Sequence, residues 1–314
     1  MYAEDLWTSD KMPKADVDEQ FLWVYICFIR IFFLPLHAHC VRVPARLGSL
    51  ASDDALQYRI HALLPKEMED EKKRYFVTFS YDGSRYHGWQ VQPNGDSVQA
   101  QLQRALSLLL RSDISVTGAG RTDAGVHARM MVAHFDTEVA VDCQQLCYKL
   151  NKLLPSDIAV SRVVQVAATM HARFSATSRT YHYYLHTKKD PFLRHTSCEI
   201  HYPLDFAAMA RAAELLKGYE DFGAFCKAHA DVKTTLCRVT AAEWHQTSPT
   251  TWFFEITANR FLRNMVRAVV GTLIEVGRGR MTLDDFRRVV EGKKRTAAGE
   301  SMPAHALFLE EVEY

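Results

Sequence analysis

The chain has 314 residues, 48% of them hydrophobic, with 38 Lys+Arg against 37 Asp+Glu. One large or two medium cores can be built from this without disulfides. The charge is uneven: residues 1–71 hold 7 Lys+Arg and 12 Asp+Glu, leaving 31 against 25 from Lys72 onward, a body that tolerates a polyanionic partner. Cys27, Cys40, Cys143, Cys147, Cys198, Cys226 and Cys237 are scattered, with no Cys-x-x-Cys pair to complete a zinc site. They read as ordinary thiols of a reducing compartment.

Residues 1–20 are polar and acidic, and Phe21 to Leu34 is an apolar run broken by Arg30. A membrane span wants about 20 apolar residues and a mid-helix Arg costs on the order of 3 kcal/mol, so this run is not read as an anchor. Asp5, Asp10, Asp16, Asp18 and Glu19 also argue against a secretory or organellar signal. Residues 1–71 are expected to be a poorly ordered or lineage-specific extension, with Met68 as the functional start. The test is whether a protein beginning at Met68 is soluble and active.

A strand is predicted over Tyr75 to Tyr81, turned by Asp82-Gly83-Ser84. Tyr86 and Trp89 follow and are read as core or wall. Asp96 or Ser97 caps a helix through Arg111, with Val98, Leu102, Ala105, Leu106 and Leu109 on its apolar face. The β-branched run Ile114 to Thr117 then leads into Gly118-Ala119-Gly120-Arg121-Thr122-Asp123-Ala124-Gly125-Val126-His127-Ala128, a loop before the apolar run Met130 to Phe135. Its three glycines allow tight turning and positive φ. The spacing is neither a Walker A loop nor a dinucleotide fingerprint. On composition alone it is a tight turn with an Arg121–Asp123 surface pair.

A helix over Asp142 to Leu154, a strand over Ile158 to Val166 and an alternating strand over Arg179 to Leu185 come next, the last with Tyr181, Tyr183 and Leu185 on one face. Lys188 to Pro191 opens an insertion, and helical sequence resumes from Asp205 to Lys217. A strand pair is predicted over Arg238 to His245 and Thr251 to Ala258, followed by the longest helix, Phe261 to Gly277. That helix would put Arg263 and Arg267 on one face, where both read as solvated. A short helix over Thr282 to Gly292 and a strand over Ala306 to Tyr314 end the chain. The two halves have similar element orders without a sequence repeat, as a pseudo-duplicated sheet would.

The Asp123 loop resembles the active-site signature of the tRNA pseudouridine synthase A family, in which the Asp of Arg-Thr-Asp is catalytic. Tyr81-Asp82-Gly83, Gly88-Trp89-Gln90 and Ser97-Val98-Gln99 resemble the opening of the same family's chain, and the likeness runs from about Arg74 to Tyr314. The resemblance singles out Tyr181 as the tyrosine that stacks on the target uracil, and Arg267 as the basic active-site residue. Arg121, Thr122, Gly125 and His127 are expected on the substrate, with Arg121 filling the space a flipped uridine leaves. The implied fold is α+β: two ferredoxin-like halves forming a mixed, mostly antiparallel sheet, helices on one side and a central cleft. The halves are expected at residues 72–185, carrying the Asp loop, and 186–314, completing the cleft.

The implied activity is isomerisation of uridine to pseudouridine in tRNA, at positions 38–40 of the anticodon arm, by a cytoplasmic homodimer; an organellar location stays open because of the extension. Such an isomerisation calls for no cofactor and no metal. Asp123 would attack C1′ or abstract a C2′ proton, and Tyr181 would hold the detached uracil and help remove the C5 proton. Lys188, Lys189, Arg194, Arg278, Arg280, Lys293, Lys294 and Arg295 are candidate contacts to the RNA backbone. Met302 and Ala306 depart from the family pattern, where Ala and Gly are expected, which bears on substrate positioning. The competing expectation is a non-catalytic RNA-binding or RNA-folding protein on the same scaffold; intact Asp123, Tyr181 and Arg267 argue against it.

Overall fold

The computed structural model describes residues 72–93, 95–227 and 233–314. They fall within one unit, Asp70–Tyr314. The expected extension, its Phe21 to Leu34 run and Met68 lie outside the described residues. Among those described, no helix is long and apolar enough to cross a membrane.

Nine strands and five α-helices are formed by the described residues of this unit. The first set is β1 (Lys73–Tyr81), α1 (Val98–Leu110), β2 (Thr117–Gly118), β3 (His127–Thr137), α2 (Cys143–Leu153) and β4 (Ile158–Val166). The second is β5 (Ser178–His186), β6 (Cys198–Glu199), α3 (Phe206–Leu215), β7 (Val239–Ser248), β8 (Thr251–Ala258), α4 (Met265–Gly277), α5 (Leu283–Gly292) and β9 (Leu307–Glu313). The sheet runs β4-β1-β3-β9-β5-β8-β7, with β2 on β3 and β6 on β5.

Each half repeats one arrangement. In the first, the order β4, β1, β3, β2 is the fourth, first, third and second strand of a βαββαβ unit; in the second, β9, β5, β8 and β7 stand in the same order. Pairs within the main path of each half are antiparallel. The halves join where β3 and β9 run parallel, His127 opposite Phe308 and Ala128 opposite Leu309. The mixed, mostly antiparallel α+β sheet that the resemblance implies is thus the one observed. The division expected after residue 185 passes through the end of β5, a strand that pairs with β8 and β9 of the second set.

Local chemistry explains the helices. The Ser97 side chain accepts from the Ala100 N–H, and Val98, Leu102, Ala105 and Leu106 are buried at helical spacing. Asp142 caps α2 in the same way, and Thr282 with Asp285 forms a capping box on α5. On β5 alternate residues Arg179, Tyr181, Tyr183 and Leu185 are buried, whereas Thr180, His182 and Tyr184 are only partly covered. Helix α4 packs against this strand, and nearly all of it is buried.

Three elements differ from prediction. The helix expected from Phe261 starts at Met265, because Asn264 takes a left-handed conformation (φ 68°) that an α-helix cannot include. Arg263 therefore precedes the helix, and the shared helical face predicted for Arg263 and Arg267 does not exist. Of the β-branched run Ile114 to Thr117 only Thr117 is in a strand, β2, and β3 begins at His127, inside the motif.

Candidate active site

The Asp123 loop is pinned by the segment that follows β1. The Trp89 N–H donates to the Thr122 carbonyl (3.3 Å), and the Gly125 N–H to the Tyr86 carbonyl (3.3 Å). A Cβ on Gly88, itself at φ 90°, would lie 2.4 Å from the Thr122 oxygen, so the two backbones can approach only because this residue is glycine. Of the motif's three glycines, only Gly125 takes positive φ (77°). Beneath the loop the Tyr81 hydroxyl and Thr122 Oγ1 share a hydrogen bond of 2.8 Å. A β-bulge between Phe79 and Tyr81 accompanies the chain's entry to this spot, and a second lies beside Tyr181, where β5 pairs with β9.

Asp123 meets two guanidinium groups from the second half. Arg267 Nη1 is 3.4 Å from Oδ2, and Arg263 Nε is 3.7 Å from Oδ1. Arg267 sits in the first turn of α4, where the helix dipole also favours a carboxylate. Its Nε donates to the Met302 carbonyl (2.6 Å), while the Met302 N–H donates to the Arg267 carbonyl (3.1 Å). Met302 thus serves the site through its backbone, which tolerates a change of side chain. Ala306 is fully buried just before β9.

Tyr181 is buried on β5, its ring edge-on to Phe261 at 5.0 Å. Burial pushes its phenol up to about 12, Arg179 opposes this, and the Asp123 carboxylate adds to it. The phenol is therefore neutral across the physiological range.

Asp123 lines an open cavity of ≈ 580 Å³ with Ala124, Lys227, Arg263, Asn264, Arg267, Arg295 and Ser301. Four cationic side chains face one carboxylate there, an imbalance suited to a phosphate-bearing ligand. The cavity's far wall is held by Ser301, whose Oγ accepts from Asn264 Nδ2 (2.6 Å) and from Arg295 Nη2 (2.8 Å). Among the described residues, no cluster of three or more His, Cys, Asp or Glu is placed to hold a metal ion.

The remaining expected contacts separate by exposure. Arg121 is exposed, with no carboxylate partner among the described residues. Thr122 and His127 are buried and do not line the cavity. His127 lies at the seam between halves: its Nδ1 accepts from the Gly83 N–H (3.0 Å), and its Nε2 donates to the carbonyls of His305 (3.0 Å) and His195 (3.1 Å). Its ring stacks on Phe308 at 4.5 Å. It braces the end of the loop instead of facing outward.

Sequence reading missed Lys227, Asn264 and Ser301, which lie far apart in the chain and carry no motif of their own. It also missed Arg179, a buried guanidinium that donates to four carbonyls, those of Ala119, Arg173, Ala176 and Asn259, and so ties the loop to β5 and to the segment before α4. The only available signal was an arginine on the same strand face as Tyr181, Tyr183 and Leu185, a place where charge needs a buried partner.

Comparison with known proteins agrees with this arrangement. The family model described as tRNA pseudouridine synthase matches residues 77–175 and 212–314. The tRNA pseudouridine synthase A of Bacteroides fragilis is 56% identical over 243 residues, covering 77% of this chain and 96% of the relative. That of Bacteroides thetaiotaomicron is 55% identical over 244 residues (77% and 91%), and that of Bacillus subtilis 40% over 245 (77% and 99%). With one family matched in both halves of the sheet and relatives this similar along nearly their whole length, the chain belongs to the tRNA pseudouridine synthase family.

Proposed function

We propose that this protein isomerises uridine to pseudouridine in tRNA, with Asp123 as the catalytic carboxylate. The observation that carries the reading is the Asp123 carboxylate at an open cationic cavity, held 3.4 Å from Arg267. The reaction breaks the N1–C1′ bond, turns the uracil and forms a C5–C1′ bond; the proton lost from C5 is balanced by one gained at N1. Attack at C1′ or proton abstraction at C2′ needs a carboxylate, and Arg267 holds that of Asp123 at the cavity from 3.4 Å. A phenol raised to about 12 is a weak partner for the C5 proton by itself, so Tyr181 acts chiefly through its ring. A stacked ring tolerates rotation of the freed uracil better than fixed hydrogen bonds would.

The target uridine lies within a stem-loop and must leave the stack to reach Asp123. The anticodon arm, positions 38–40, is the proposed target. The proposed working form is a cytoplasmic homodimer that takes one tRNA across both subunits. The test is tritium release from tRNA labelled at uridine C5: release by the wild type that vanishes in Asp123→Ala supports the reading. No release by the wild type, or equal release by the variant, overturns it.

A further inference from the structure

One exposed aromatic, on the turn that precedes β5, has no role in the chemistry above. Phe174 is 75% exposed, yet its position is fixed. The N–H groups of Arg173 and Phe174 both donate to His171 Nδ1 (3.1 and 3.2 Å), His171 N–H donates to Ser175 Oγ (2.9 Å), and Ser175 N–H to the His171 carbonyl (2.9 Å). His171 packs on the Phe174 ring at 4.3 Å and the Arg173 guanidinium approaches it at 5.6 Å. A ring so exposed leaves much of its surface open to a planar ligand.

This turn sits against the Asp123 loop. A single nitrogen, Arg179 Nη2, donates to the Ala119 carbonyl (3.0 Å) and to the Arg173 carbonyl (2.6 Å). Phe174 is therefore one residue from an anchor shared with a point two residues before Arg121. Neither Arg121 nor Arg173 has a carboxylate partner among the described residues, so both charges stay available to phosphate. A rigid exposed ring beside uncompensated guanidinium groups is the combination that binds unstacked nucleotides, the ring taking a base face and the cations the backbone.

We propose that Phe174 is a stacking platform for an unpaired base of the RNA substrate, adjacent in sequence to the uridine that enters the Asp123 cavity, with Arg173 on the neighbouring phosphate. The assignment rests on the isomerase reading for the identity of the substrate, but not for the stacking itself. The platform sets which loop nucleotides can flank a target and contributes to binding ahead of the chemical step.

The experiment uses the full-length protein and an unmodified tRNA transcript with uridine in its anticodon arm, measuring equilibrium binding and C5 tritium release separately. Phe174→Ala and Phe174→Leu are each expected to weaken binding and raise KM by about 5- to 100-fold with kcat nearly unchanged, the range base–aromatic stacking supports, while Phe174→Trp restores it. Arg173→Gln should reduce the slope of log affinity against log salt by about one, which Phe174→Ala should not. Removing the base at each loop position in turn should reveal one position whose loss no longer matters once Phe174 is Ala. The inference is overturned by Phe174→Ala matching wild type in binding and KM, by Phe174→Leu behaving like wild type, by additive losses at every position, or by a change of oligomeric state that accounts for the loss. Wild-type protein that binds this tRNA without tritium release would sink the isomerase reading and leave the binding series to judge Phe174 alone.

Discussion

The two halves of the sheet share a strand order and differ in their loops. In the first half the connection between its second and third strands, β2 to β3, is the long Asp123 loop; in the second, β7 and β8 meet in a tight hairpin at Ser248–Thr251. The link from third strand to second helix is reversed in character. In the first half residues 138–142 contain two acids and no base, whereas residues 259–264 of the second carry Arg260 and Arg263 and end at the left-handed Asn264. One half therefore provides the carboxylate at the cavity, and the other provides the guanidinium groups that meet it. A duplicated scaffold supplies two cradles facing a common seam, and unequal loops make the site asymmetric.

Removing the first half's contribution should have the largest effect. Asp123→Asn is expected to lower kcat by about 10³-fold or more with tRNA binding retained, checked by single-turnover isomerisation beside a binding assay. Loss of binding to the same degree would mean that Asp123 holds the fold or the RNA instead. The second half's two arginines should then prove unequal. Arg267 is bound to Met302 and its side chain is 20% exposed, whereas that of Arg263 is 62% exposed. Arg267→Lys should cost about 10²-fold in kcat, because a lysine cannot hold both Asp123 and the Met302 carbonyl. Arg263→Gln should cost much less, with an effect that fades as salt is raised.

Tyr181→Phe keeps the ring and should retain most activity, while Tyr181→Ala should lose about 10- to 100-fold. Equal losses in the two variants would transfer the role from ring to hydroxyl. Gly88→Ala probes the scaffold holding the loop: a Cβ 2.4 Å from the Thr122 oxygen at φ 90° should destabilise the protein by about 1–3 kcal/mol, read as a lower melting temperature, and reduce kcat.

The smallest effect concerns pH. His134 is buried on β3, its Nδ1 accepting from the Ala172 N–H (3.2 Å), and burial first, then the charge of Arg74, hold its imidazole down to about 4. The unfolded imidazole, near 6.5, binds a proton more readily, so the folded state is favoured fully above that value and loses this contribution as pH falls from about 6.5 through 4. Melting curves across this window should be flatter for His134→Gln than for wild type.

Local sequence was enough for most elements of this protein. Ser97, Asp142 and Thr282 announce their helices by side-chain chemistry, and Ile158–Val166 forms a strand over its predicted span. The motif around Asp123 was legible as a tight turn from its glycines and as a site only through resemblance, which eleven consecutive residues make specific. Arg267 and Tyr181 were legible only through resemblance, since one arginine on a helix and one tyrosine on a strand look like many others.

Tertiary structure alone decided the rest. The break at Asn264 is a single backbone choice inside a sequence that otherwise propagates as helix, and it moves Arg263 off the helix while leaving it within reach of Asp123. His127 turned inward because β9 offered its ring the Phe308 face, and the turns before β9 and β6 offered it the carbonyls of His305 and His195. Arg179 became a four-carbonyl anchor because segments 60 and 80 residues away in sequence converge on one nitrogen-rich group. Propensity and pattern act over a few residues and fix helices, strands and the motif; burial and hydrogen-bond satisfaction act across the whole sheet, and they chose which side chains line the cleft and which hold it open.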